Sequence, residues 1–124
     1  MTKKILVIDD SRTARLQVRN ALMDAGYEII EAVDGREGLS VIGTHLDALL
    51  VICDVNMPKL SGLDMLSALR TEQPAAKMPI IMLTTEAEPA LLKRAKEGGA
   101  KGWIVKPFKP DMLVAAVRRL VGDV

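Results

Sequence analysis

The chain has 124 residues, 49% hydrophobic and 27% charged, a size and balance that suit one globular domain with a real core. Its 17 basic and 16 acidic side chains leave a formal charge of +1, without the basic excess of a nucleic-acid binder. One cysteine, Cys53, excludes an intrachain disulfide and a thiolate metal cluster. The opening "MTKKILVIDD" carries an apolar run too short for a signal peptide, and no run reaches the roughly 18 apolar residues of a membrane helix. The expectation is a single soluble, cytoplasmic domain over residues 1–124, monomeric, with no nucleic-acid partner and no membrane insertion.

Taken in chain order, residues 5–8 form a first apolar run that reads as a strand buried on both faces. Ala14, Val18, Ala21, Leu22 and Ala25 then share one helical face, and Gly26 suits the position past the helix end. Residues 28–33 make a weaker strand candidate, followed by the short stripe Gly38, Leu39 and Ile42. A second strong strand spans residues 48–53. Leu63, Leu66 and Leu69 make the next stripe, with Pro74 beyond it as a stop. Residues 80–83 form a third strong strand, and Leu91, Leu92 and Ala95 lead to a stop at Gly98-Gly99. A weak strand at residues 102–105 precedes Leu113, Ala116, Val117 and Leu120, with Pro110 placed for a first helical turn. Strand and helix alternate five times, which predicts right-handed βαβ units and a parallel sheet covered on both faces.

In such a sheet, function gathers at the carboxyl ends of the strands. Asp9 and Asp10 follow the first strand, Asp54 the third, Thr84 and Thr85 the fourth, and Lys106 and Pro107 the fifth. The second delivers only Asp34-Gly35, a turn signal. Crowded carboxylates raise one another's pKa unless a cation intervenes, and two or three carboxylate oxygens suit Mg²⁺. A divalent cation, an ammonium and a hydroxyl together hold a tetrahedral phosphoryl group, and an aspartate among them can be the nucleophile.

Each piece has a duller reading when taken alone. Asp9-Asp10 would cap a helix, although Ser11 caps equally well; Lys106 would be solvated; Thr84 and Thr85 would be good strand formers. Four strand ends with complementary chemistry favour the site. Cys53 reads as a small buried hydrophobe, and the lone histidine, His45, lies too far from the strand ends to complete a triad.

The segments "ILVIDDS", "EAVDG", "CDVNMPKLSGLDML", "PIIMLTTEAE" and "GGAKGWIVKPF" stand at the spacings of a known family. Over essentially its whole length the chain resembles the receiver domain of two-component response regulators, most of all the single-domain, CheY-like chemotaxis type. The resemblance implies a doubly wound, flavodoxin-like (βα)5 sheet with strand order 2-1-3-4-5. It implies that Asp54 accepts a phosphoryl group from a histidine kinase, and that Mg²⁺ or Mn²⁺ is held by Asp9, Asp10, Asp54 and the backbone carbonyl of Asn56. Asp10 would bind the metal directly and Asp9 through water. Thr84 and Lys106 would meet the phosphoryl group, and Trp103 would be the switch aromatic, where the family more often has Tyr or Phe. Asn56 and Glu86 would tune phosphate lifetime, Gly62 would match the loop glycine, and the Lys106–Pro107 bond would be cis. Thr85 departs from the small residue usual in the family.

The implied output is a protein-binding face over residues 89–98, 103–105 and 110–120, read by the flagellar motor switch or another motility component. A phosphate sink or phosphorelay shuttle is the alternative output. A haloacid-dehalogenase-like phosphatase is the rival from another class, but Asn56 stands where that chemistry wants a second acid. A nucleotide-binding reading lacks the glycine loop it needs after the first strand.

Overall fold

A computed structural model describes residues 3–85 and 87–122. Strands and helices alternate as β1 (Lys4–Ile8), α1 (Arg12–Asp24), β2 (Glu28–Ala32), α2 (Gly35–Thr44), β3 (Leu50–Cys53), α3 (Gly62–Glu72), β4 (Ile80–Thr84), α4 (Pro89–Glu97), β5 (Gly102–Val105) and α5 (Pro110–Val121). All strand pairs are parallel, and the sheet order is β2-β1-β3-β4-β5. The chain therefore turns one way after β1 and the other way after β3. β1 and β3 flank the point where the order reverses, and ligands gather at such points.

The three continuous apolar strands are continuous because both their faces are covered. Ile5, Val7, Leu50, Ile52, Ile81 and Leu83 pack with Val18 and Leu22 of α1 and Leu113 and Val117 of α5. The alternate residues Leu6, Ile8, Val51, Cys53, Ile80 and Met82 pack with Leu39, Ile42, Leu63, Leu66 and Ala95 of α2, α3 and α4. The side-chain period of two thus divides each strand between two cores.

The helix ends follow local chemistry. The hydroxyl of Ser11 accepts from the Ala14 amide and caps α1, and Ser61 does the same for Asp64 at α3. Gly26, past α1, takes a left-handed φ of 100°, as does Gly99 past α4. Pro110 occupies the first turn of α5.

Four expected strand boundaries shift: β1 begins one residue earlier, at Lys4, and β4 runs one residue further, to Thr84. β3 starts at Leu50, not residue 48, because the Ala48 amide closes a turn on the His45 carbonyl; Leu50 is the first residue in register with β1. β2 stops at Ala32, and Val33 is exposed.

Candidate functional site

The hydrogen-bond ladder of the sheet continues past the strand ends and sets the chemistry-bearing residues in a row. The amide of Asp9 donates to the Ala32 carbonyl at 3.0 Å, that of Asp54 to Ile8 at 2.9 Å, and that of Lys106 to Thr84 at 2.8 Å. Asp9 is 2% exposed and Asp54 7%, while Asp10 stands in solvent. One oxygen from each of these three carboxylates lies within 4.8 Å of the other two.

Lys106 reaches into this cluster from the outer strand. Its Nζ lies 2.7 Å from Asp9 Oδ2 and 3.5 Å from Asp54 Oδ2. The Lys106–Pro107 peptide is cis. Asp54 Oδ1 also accepts from the Val55 amide at 2.8 Å, and the Thr84 hydroxyl, wholly buried at the end of β4, donates to the same carboxylate. Burial, and then the charge of Asp9, push the Asp54 carboxyl above the ordinary aspartate range, against the pull of Lys106, the Val55 amide and Thr84. One ammonium thus leaves the three acids under-compensated. The donor set is all oxygen, two acids buried and one open to water, and it fits a hard divalent cation.

The loop after β3 is shaped by backbone contact. A γ-turn centred on Lys59, with φ of 67°, brings the Leu60 amide 2.7 Å from the Pro58 carbonyl. The Gly62 amide then closes the loop on the Val55 carbonyl at 2.8 Å. A β-carbon on Gly62 would collide with the Asp54 carbonyl oxygen, and one on Gly35 with the Leu60 carbonyl. Asp34-Gly35, read in the sequence only as a turn, therefore lies directly against this loop. Lys59 also faces the buried Asp34 carboxylate at 3.8 Å.

The expected site residues divide clearly. Asp9, Asp10, Asp54, Thr84 and Lys106 converge. Asn56 is exposed two residues beyond Asp54, and Thr85 is exposed beyond the end of β4. Glu86 lies outside the described residues. Trp103 does not join the acids: it sits half-buried on β5, in register with Met82, beside Leu92, Ala95 and Lys96 of α4. Asp9 does not cap α1, since Ser11 does; its Oδ1 instead accepts from the Ser11 amide at 2.8 Å. Cys53 is fully buried, with its thiol pushed up by burial and by the charges of Asp54 and Asp9.

Sequence reasoning missed Arg15. Its Nη1 donates to the Asp9 carbonyl at 2.6 Å and its Nε to Glu31 of β2 at 3.0 Å. No spacing rule links residues that far apart in the chain.

Comparison with known proteins agrees with this geometry. The family model for the response regulator receiver domain matches residues 5–118. The chain is 38% identical over 120 residues to chemotaxis protein CheY1 of Helicobacter pylori, covering 96% of this chain and 97% of that protein. It is 40% identical over 119 residues to the probable transcriptional regulator ycf27 of Cyanophora paradoxa, covering 96% of this chain but 48% of that longer protein. The solved structure of Vibrio cholerae CheY4 superposes with a TM-score of 0.88 at 40% identity, covering 97% of this chain and 99% of that one. An acidic cluster at the carboxyl ends of β1 and β3, on a sheet of this order, is typical of the family's metal site. This sets aside the phosphatase reading: the chain belongs to the response regulator receiver domain family and is a signalling module, not a conventional enzyme.

Proposed function

We propose that the chain is a phosphorylation-activated response regulator in which Asp54 takes a phosphoryl group from the phosphohistidine of a histidine kinase. The observation that carries this reading is the convergence of Asp9, Asp10 and Asp54 within 4.8 Å, with Lys106 and Thr84 on the Asp54 carboxylate. An Asp54 oxygen attacks phosphorus, the phosphorus–nitrogen bond breaks, and its electron pair returns to the kinase imidazole, leaving an acyl phosphate. Held by Asp9, Asp10, Asp54 and the Asn56 carbonyl, Mg²⁺ or Mn²⁺ would supply positive charge against the phosphoryl oxygens.

The chain's own groups do the rest. Lys106, already 3.5 Å from Asp54, neutralises charge on the transferred group, and Thr84 gives it a hydroxyl donor. Asn56, exposed at the mouth, and Glu86 tune the approach of hydrolytic water. Trp103, seated between β5 and α4, relays the change to the face of α4, β5 and α5 as the switch aromatic.

The output is a protein contact in chemotaxis, with the flagellar motor switch or another motility component as target. Chemotaxis relatives that match this chain over nearly their whole length support it. The protein acts as a cytoplasmic monomer without nucleic acid; no described helix is long and apolar enough to cross a membrane.

With Mg²⁺ and a small phosphodonor, the chain gains one hydroxylamine-sensitive phosphoryl group and Asp54→Asn gains none. Labelling that persists unchanged in the variant overturns the Asp54 assignment. In the same mixture Trp103 fluorescence shifts; a silent tryptophan removes its switch role and leaves phosphorylation standing.

A further inference from the structure

The acidic cluster is braced from a side that phosphoryl transfer does not use. Arg15, near the start of α1, has its side chain 13% exposed. Its guanidinium spans two acceptors, the Asp9 carbonyl at 2.6 Å and Glu31 Oε1 at 3.0 Å. Arg19, one turn further, takes the other Glu31 oxygen at 2.9 Å. Glu31 sits on β2 in register with Val7 of β1, so the sheet itself anchors the brace.

Asp9 is thereby held at four points. Its amide is held by Ala32, its Oδ1 by the Ser11 amide, its Oδ2 by Lys106 and its carbonyl by Arg15. The carbonyl matters most for the next residue. The Asp9 oxygen and the Asp10 nitrogen and Cα share one peptide plane. Gripping that oxygen therefore fixes where the exposed Asp10 starts.

We infer that Arg15 is a positioning residue for the cation site, clamping the Asp9–Asp10 peptide so that the Asp10 carboxylate is set against Asp9 and Asp54. The inference rests on the cation reading above. A planar guanidinium can serve a carbonyl and a carboxylate at once, which an ammonium point charge does less well. Loss of a group that orients a metal ligand costs about 10–100-fold in metal affinity.

The test is Mn²⁺ binding to the full chain by titration calorimetry. Arg15→Met weakens Mn²⁺ binding about tenfold, and Arg15→Lys recovers part of the loss. Simple electrostatics has the opposite sign, because deleting a cation beside three acids raises cation affinity. Leu69→Ala, in the core at the far end of α3, lowers the melting temperature and leaves Mn²⁺ affinity unchanged, which separates positioning from general stability. Equal or tighter binding by Arg15→Met, or an equal loss in Leu69→Ala, overturns the inference alone. Absence of saturable binding in the unaltered chain, or binding untouched by Asp10→Asn, overturns the cation reading and the inference with it.

Discussion

Replacing Lys106 by Met keeps most of the aliphatic stem and removes the ammonium, so it isolates the charge that holds the site together. The ammonium lies 2.7 Å from Asp9 and 3.5 Å from Asp54, and the Lys106 side chain is only 17% exposed. At an effective dielectric of about 20, a pair at the longer distance is worth roughly 5 kcal/mol before desolvation. Desolvating the ammonium offsets part of that, while removing one member of a buried pair typically costs about 3–5 kcal/mol. A net loss of about 3 kcal/mol is the working figure. Unfolding entropy of about 2.1 cal/mol/K per residue over this chain converts it to a melting temperature roughly 12 °C lower at pH 7.

The pH dependence tests the cause. Lys106 pulls down the Asp54 carboxyl, so that carboxyl rises further in the variant. Once Asp54 is neutral in both proteins, its need for the ammonium is gone. The difference in stability should therefore narrow as pH falls through the raised Asp54 value, and be least below the ordinary value of 3.8. Thermal melts followed by circular dichroism at pH 7 and at mildly acidic pH measure this directly. A loss of the same size at both would refute Asp54 as the partner whose charge matters and leave the 2.7 Å pair with Asp9 as the source.

Asp54→Asn should be more stable than the unaltered chain at pH 7, by about 4 °C in melting temperature for every kcal/mol gained. The folded carboxyl is raised, so the fold is favoured fully below 3.8 and that advantage is lost as pH rises through the higher folded value. The gain should accordingly vanish in acid, and a constant gain across the titration would contradict burial as its source. Gly62→Ala forces a β-carbon against the Asp54 carbonyl, an overpacking worth about 1–3 kcal/mol, or a melting temperature roughly 4–12 °C lower. An unchanged melt would mean that the β3–α3 loop retreats without cost.

The legible parts of the molecule were those where one physical demand dominates a short stretch. β1, β3 and β4 announce themselves as unbroken apolar runs because helices cover both their faces, whereas the outer strands β2 and β5, only partly covered, gave weaker patterns. The acids were legible for the same reason: a carboxylate directly after a buried strand needs a partner. Neither pattern sets the order of the strands, which came from resemblance to a family. Less was visible where the partner is distant. Arg15 meets Glu31 across sixteen residues, and Gly35 meets the Leu60 carbonyl through a contact that no spacing encodes. The start of β3 was misplaced because Ala48 is apolar enough for a strand, yet its amide belongs to a turn.

Lys106 and Asp9 are 97 residues apart, and their bond spans most of the chain. A contact of that separation closes a very long loop and gains nothing until β1, β3, β4 and β5 have aligned. The ammonium can therefore join the acids only late in folding, after the hydrophobic layers have set the strands side by side. A nascent chain that has not yet made β5 carries its acids without the Lys106 ammonium. The bridge from Lys106 to the acids is in this way a property of the finished molecule, and it reports on the whole topology.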